Sequence, residues 1–107
     1  MRDLTPIEER VLVATHRLGE DAYGMTIRQV AEELSGRPTS IGAVYMALER
    51  LEHDGLVRSW IGEASPERGG RAKKHFAVTG AGVRALQVCR AAHTSLYEGL
   101  VLGGEVS

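Results

Sequence analysis

Few side chains in this 107-residue sequence are spaced for chemistry, and most of those argue against an enzyme. The four histidines, His16, His53, His75 and His93, fall on separate segments, and Cys89 is the only cysteine, so no His-x-x-x-His or Cys pair offers metal-ligand spacing. The carboxylate pairs Glu8 with Glu9 and Glu32 with Glu33 are expected on exposed helix faces, where solvation outweighs acid–base work. Gly80, Ala81 and Gly82 open a helix after a strand but lack the rest of a dinucleotide fingerprint, and neither a phosphate loop nor a nucleophile elbow occurs. No catalytic residue, metal or cofactor is expected.

Charge is the chemistry that remains. The chain carries a net −1, yet the stretch from Arg58 to His75 holds Arg58, Arg68, Arg71, Lys73 and Lys74 against Glu63 and Glu67, so it is +3 and the remainder −4. By charge alone such a run reads first as solvated surface and second as a phosphate-binding edge. Cys89 reads as a small apolar packing group, with a redox switch as the alternative.

Periodicity places these residues. Thr5, Pro6 and Glu8 form a capping signature, and Ile7, Val11, Leu12, Ala14 and Leu18 give one buried face to a helix over about 5–18, stopped by Gly19. Ile27, Val30, Ala31 and Leu34 predict a short second helix ending at Gly36. After Arg37 and Pro38, Thr39 and Ser40 supply cap oxygens for a third helix with Ile41, Val44, Leu48 and Leu51 inward, ending at Asp54 and Gly55. Leu56 to Ile61 reads as a strand, 62–70 as a turn and Arg71 to Val78 as the returning strand, with Leu56, Phe76 and Val78 packed on the helices and the basic end projecting. Trp60 either packs at the hairpin base or lines an apolar pocket. A last helix runs from Thr79 to about 99; Leu86, Cys89, His93, Leu96 and Leu100 on it keep a loose seven-residue spacing that suits a second copy of the chain.

Three helices and a basic hairpin make an α+β winged helix-turn-helix over 1–78, with a dimerisation helix and tail over 79–107. The third helix then turns outward Ser40, Gly42, Ala43, Tyr45, Met46, Glu49 and Arg50, small residues clustering at its amide-rich start, where an anion such as a phosphate is favoured. Tyr45 has a plainer reading as a half-buried ring whose hydroxyl meets water. The first turn holds no Arg, Asn or Gln for bidentate base reading, so Thr39, Ser40, contact of Ala43 or Met46 with thymine methyls, and duplex shape would carry specificity.

Composition agrees with one globular domain: 43% of residues are apolar and 25% charged. No run spans a bilayer and Met1–Pro6 lacks a secretory apolar region, which predicts a cytoplasmic protein without membrane contact. The rival reading is a winged-helix adaptor that binds protein, favoured by the net negative charge and by Glu49, Glu52 and Asp54.

The segments AYGMTI (22–27), TSIGAVYMALERLEHDGLV (39–57) and RGGRAKKHFAVTGAGVRAL (68–86), in this order and spacing, resemble the PadR-like transcriptional regulators over nearly the whole chain. The resemblance implies a homodimeric repressor that binds double-stranded DNA near its own gene and is released by a small-molecule effector or stress signal. It implies that Tyr23, Thr39, Ser40, Gly42, Ala43, Tyr45, Met46 and Arg50 face the DNA and that Arg68, Arg71, Lys73 and Lys74 meet flanking phosphates. Leu4, Val83, Leu86, Cys89, His93, Leu96 and Leu100 would form the dimer interface. His75 stands where relatives often carry an aromatic residue, and the single short helix after the hairpin matches the smaller branch of the family. That helix has Tyr97 but no Trp, which argues against the flat-drug pocket of some relatives.

Overall fold

The computed structural model describes residues 2–62 and 72–103. Helix α1 (Pro6–Leu18) leads through a 3₁₀ turn (Gly19–Asp21) to α2 (Gly24–Ser35) and α3 (Ile41–His53); β1 (Val57–Ile61) and β2 (Lys74–Val78) form an antiparallel hairpin, and α4 (Gly80–Tyr97) ends the fold. This is the expected winged helix-turn-helix with a C-terminal helix.

The helix boundaries have identifiable chemical causes. At α1 the Glu8 amide donates to Thr5 Oγ1 at 3.3 Å and the Thr5 amide donates to Glu8 Oε1 at 2.9 Å, a reciprocal cap. Gly36, at φ 69°, closes α2, its amide donating to the Glu32 carbonyl at 2.8 Å. Ser40 caps α3 by accepting from the Ala43 amide at 3.1 Å. Helix α2 begins about three residues before the first residue of its apolar stripe. Its start is held from inside, because the Tyr23 amide donates to Thr26 Oγ1 at 3.1 Å and that hydroxyl donates to the Asp21 and Tyr23 carbonyls. A threonine in the first turn capping backward gives no conventional signal ahead of the helix.

The core joins Val11 and Leu12 of α1, Ile27 of α2, Val44, Leu48 and Leu51 of α3, Leu56 and Val57 before and on β1, and Phe76 of β2. The hairpin pairs Val57 with Val78 through to Ile61 with Lys74. The returning strand is thus shorter than expected, starting at Lys74; Ala72 and Lys73 precede it, and Arg71 lies outside the described residues. A third stretch of backbone joins the sheet: Tyr23 bridges His75, and the Phe76 amide donates to the Ala22 carbonyl at 2.9 Å.

The Gly80–Gly82 segment serves packing. Thr79 Oγ1 donates to the Gly55 carbonyl at 2.7 Å and accepts from the Gly82 amide at 3.1 Å, seating α4 on the hairpin base. A Cβ on Gly82 would fall on the Leu56 carbonyl and within 2.6 Å of the Val78 side chain. Ala85, one turn along, is buried, whereas Leu96 is 71% exposed and Leu100 53%. Helix α4 therefore runs off the domain, and the radius of gyration, 16.1 Å, exceeds the roughly 13 Å of a globular chain this long.

Two of the carboxylates expected to be solvated are not. Glu8 is 2% exposed and binds Arg2 Nη1 at 2.7 Å and Arg50 Nε at 3.2 Å. Glu32 is half-buried and accepts from the Thr39 amide at 2.9 Å, which fixes the turn between α2 and α3. Glu8 closes its own cap while meeting two guanidinium groups, and a helical wheel cannot register either partner.

Candidate nucleic-acid interface

The exposed start of α3 is built as expected. Val44, Ala47, Leu48 and Leu51 are buried, while Ser40, Gly42, Tyr45 and Met46 are exposed and Thr39, Ile41 and Ala43 half-buried. Tyr45 is 45% exposed and Met46 67%. The Tyr45 ring lies directly over Gly24 at the start of α2, where a Cβ would meet its hydroxyl and ring carbons. Tyr45 thus has one edge packed and one edge outward, which combines both readings of it.

Beside Gly24, Tyr23 ties the helices to the hairpin. Its ring meets the His75 ring edge-on at 5.8 Å between centroids, and Lys73 Nζ sits 4.0 Å from the centre of the Tyr23 ring. His75 stacks on Trp60, its cross-strand partner, at 5.7 Å with the planes 17° apart. Arg58 Cζ lies 4.8 Å from the centre of the Trp60 ring. Trp60 therefore packs on the hairpin. Aromatic pairs contribute about 0.5–1.5 kcal/mol each beyond area burial, which is appreciable for a ribbon of two short strands.

Tyr23, Lys73 and Tyr45 are thereby joined through Gly24, and Ser40, Gly42, Ala43 and Met46 share the exposed start of α3. Lys74 Nζ is 5.7 Å from the Phe76 ring. Arg50 lies apart: ten residues beyond Ser40, about 15 Å along the helix, its guanidinium pairs with Glu8, so that charge is already compensated. Arg68 and Arg71 lie outside the described residues. Sequence reasoning missed the Tyr23–His75–Trp60 contacts, because residues remote in the chain meet there and only the cross-strand pair follows from register.

At the opposite end, Arg2 bridges Glu8 and Asp54, the latter at 2.7 Å, so the N-terminal segment is tied to the end of α3. Hydrogen bonds from the Arg2 guanidinium hold the Glu8 carboxyl below its ordinary range, against the opposing pull of burial, and the Thr5 amide adds to the lowering. Burial raises the Cys89 thiol, with Glu9 and Asp3 adding to it. Of the expected interface residues, Leu4 and Leu86 pack partly on the core, Val83 and Cys89 are half-buried, and His93 Nε2 lies 3.0 Å from Glu9. Leu96 and Leu100 stay exposed, together with Val88, Tyr97 and Val101. Among the described residues no group of three or more His, Cys, Asp or Glu side chains gathers as a metal site would, and no helix is long and apolar enough to cross a membrane.

The sequence pattern of the transcriptional regulator PadR-like family matches residues 11–88. The chain belongs to this family. As a PadR-like protein it is a DNA-binding transcriptional regulator, and its family is one of regulators rather than of enzymes. It is similar to a PadR-like transcription factor from Bacteroides fragilis, 25% identical, with 86% of this chain and 84% of that one covered and a TM-score of 0.72. It is also similar to RosR from H. salinarum, at 27% identity, 94% and 83% coverage and a TM-score of 0.68. A PadR family transcription regulator from Clostridium difficile R20291, at 22% identity, 86% and 91% coverage and a TM-score of 0.65, shares the fold. No curated protein matches the sequence.

Proposed function

We propose that this PadR-like regulator is a repressor that binds a palindromic operator as a homodimer, places the start of α3 in the major groove and its hairpin on the flanking backbone, and lets go in response to a small ligand or stress signal. The observation that carries the reading is the junction at Tyr23–Gly24: the outward edge of Tyr45 and the cation of Lys73 are fixed to one two-residue segment. A helix start facing a groove and a basic hairpin beside it are the two contacts this fold needs on a duplex. Thr39, Ser40, Gly42, Ala43 and Met46 supply hydroxyl and apolar contacts to bases, with Tyr23 beside them; Arg68, Arg71, Lys73 and Lys74 supply phosphate contacts. Arg50, neutralised by Glu8, stands at the margin. Homodimerisation would use Leu96 and Leu100, with Leu4, Val83, Leu86, Cys89 and His93 around them, and the half-sites would lie about one helical turn, 10 bp, apart.

The deciding experiment is an electrophoretic shift with the chain's own upstream region across a salt series. Each phosphate contact contributes close to one unit to the slope of log K against log salt. Neutralising Arg71 and Lys73 together should flatten that slope by about two and weaken all duplexes alike. An effect confined to one sequence would show that the hairpin reads bases. Absence of salt-sensitive binding to any duplex would overturn the proposal in favour of a protein-binding adaptor.

A further inference from the structure

Trp60 and His75 contact neither the start of α3 nor each other's backbone alone; they close a continuous side-chain path from that helix to the hairpin. The path runs from Tyr45 to Gly24, from Tyr23 to His75 at 5.8 Å and from His75 to Trp60 at 5.7 Å, with Arg58 and Lys73 against its outer rings. We propose that Trp60 and His75 are positioning residues that set the hairpin's angle and distance from the recognition helix, and so determine how far from the groove contact the flanking contact falls. The inference rests on the duplex-binding reading above.

Three observations support it. Beneath the hairpin the core reaches only its base, at Val57 and Phe76; Trp60 is 39% exposed and Ile61 67%, so packing from below does not fix the outer half. A two-stranded ribbon twists readily, and its direction must be set from the side. The side support is this path, reinforced by the Tyr23–His75 bridge and by Gly62, where a Cβ would fall within 2.6 Å of the His75 ring. The His75 ring is also held with its Nδ1 buried and without a hydrogen-bond partner among the described residues, which marks a ring placed for stacking rather than for polar contact. The same contacts disfavour a role as an open platform for unpaired bases, because the Trp60 ring already meets both His75 and Arg58.

The test is selection of bound duplexes from a randomised pool by the unchanged chain and by Trp60→Ala, Trp60→Phe, His75→Ala and His75→Phe, with thermal melting of each. Trp60→Ala and His75→Ala should keep the central half-site preference but lose discrimination at the flanking positions by about tenfold, on the scale of a single base-pair mismatch. The aromatic replacements should restore it. A folded Trp60→Ala that keeps the original flanking preferences, or that weakens every duplex equally, would overturn the inference and leave the duplex reading intact. If the unchanged chain selects no sequence at all, both fall together.

Discussion

Glu8 shows how much one side chain can connect. Its carboxylate closes the α1 cap, accepts from Arg2 and pairs with Arg50, yet both arginines keep much of their surface in water. Removing it therefore costs less than breaking a fully buried pair, about 1–2 kcal/mol. Because its native pKa is lowered, its contribution is complete above the unfolded-state value near 4.3 and is lost as pH falls through the lower native value. Melting followed from pH 7 to pH 3 should show the unchanged chain losing stability below about 4.3. Glu8→Gln should start less stable and fall less steeply in that window. Parallel curves would mean that Glu8 titrates alike in both states. Cys89 is ordered the other way: its raised thiol pKa favours the protonated, slow-reacting form, so packing is the better-supported role for it.

At the scale of elements, the docking of α4 on the hairpin base depends on the missing side chain at Gly82. Gly82→Ala would drive a methyl onto the Leu56 carbonyl, and since backbone cannot yield as a flexible side chain does, it should cost about 1–3 kcal/mol. For a domain of this size that lowers Tm by roughly 4–8 °C per kcal/mol, and a melting curve checks it; an unchanged Tm would show that α4 can shift without loss. Gly80→Ala, facing only Arg84 Nη1 at 3.6 Å, is the control. The sequence made much of this layer legible: the stripes of α1 and α3, the Ser40 cap and the Gly36 stop all correspond to what forms, because each is encoded within a few residues. The start of α2, the engagement of Glu8 and Glu32, and the Tyr23–His75 bridge were not legible. Each joins residues that periodicity treats separately, and a wheel or a strand pattern reports which way a side chain faces but not what waits there. The exposed start of α3 was readable for the same reason the stripes were, whereas Tyr45 resting on Gly24 needed the packing of two helices.

At the scale of the whole molecule the open question is what α4 meets. Its inward stripe continues without a break from Ala85 and Cys89, against the domain, to Leu96 and Leu100, which the chain itself leaves in water. A helix end with Val88, Leu96, Tyr97 and Leu100 exposed loses apolar burial of about 25 cal/mol for every Å² left wet, and a second copy offers the same stripe in return, as a two-fold contact requires. If the proposed dimer forms through it, Leu96→Asp combined with Leu100→Asp should produce a monomer in sedimentation at micromolar concentration. The melting temperature should then lose its dependence on protein concentration. Duplex binding would persist on a single half-site but weaken sharply on the palindrome, since the second half-site gains from being tethered to the first. A double variant that still sediments as a dimer would move the interface elsewhere on α4. An unchanged chain that sediments as a monomer would remove the dimer, and with it the expectation of paired half-sites one turn apart.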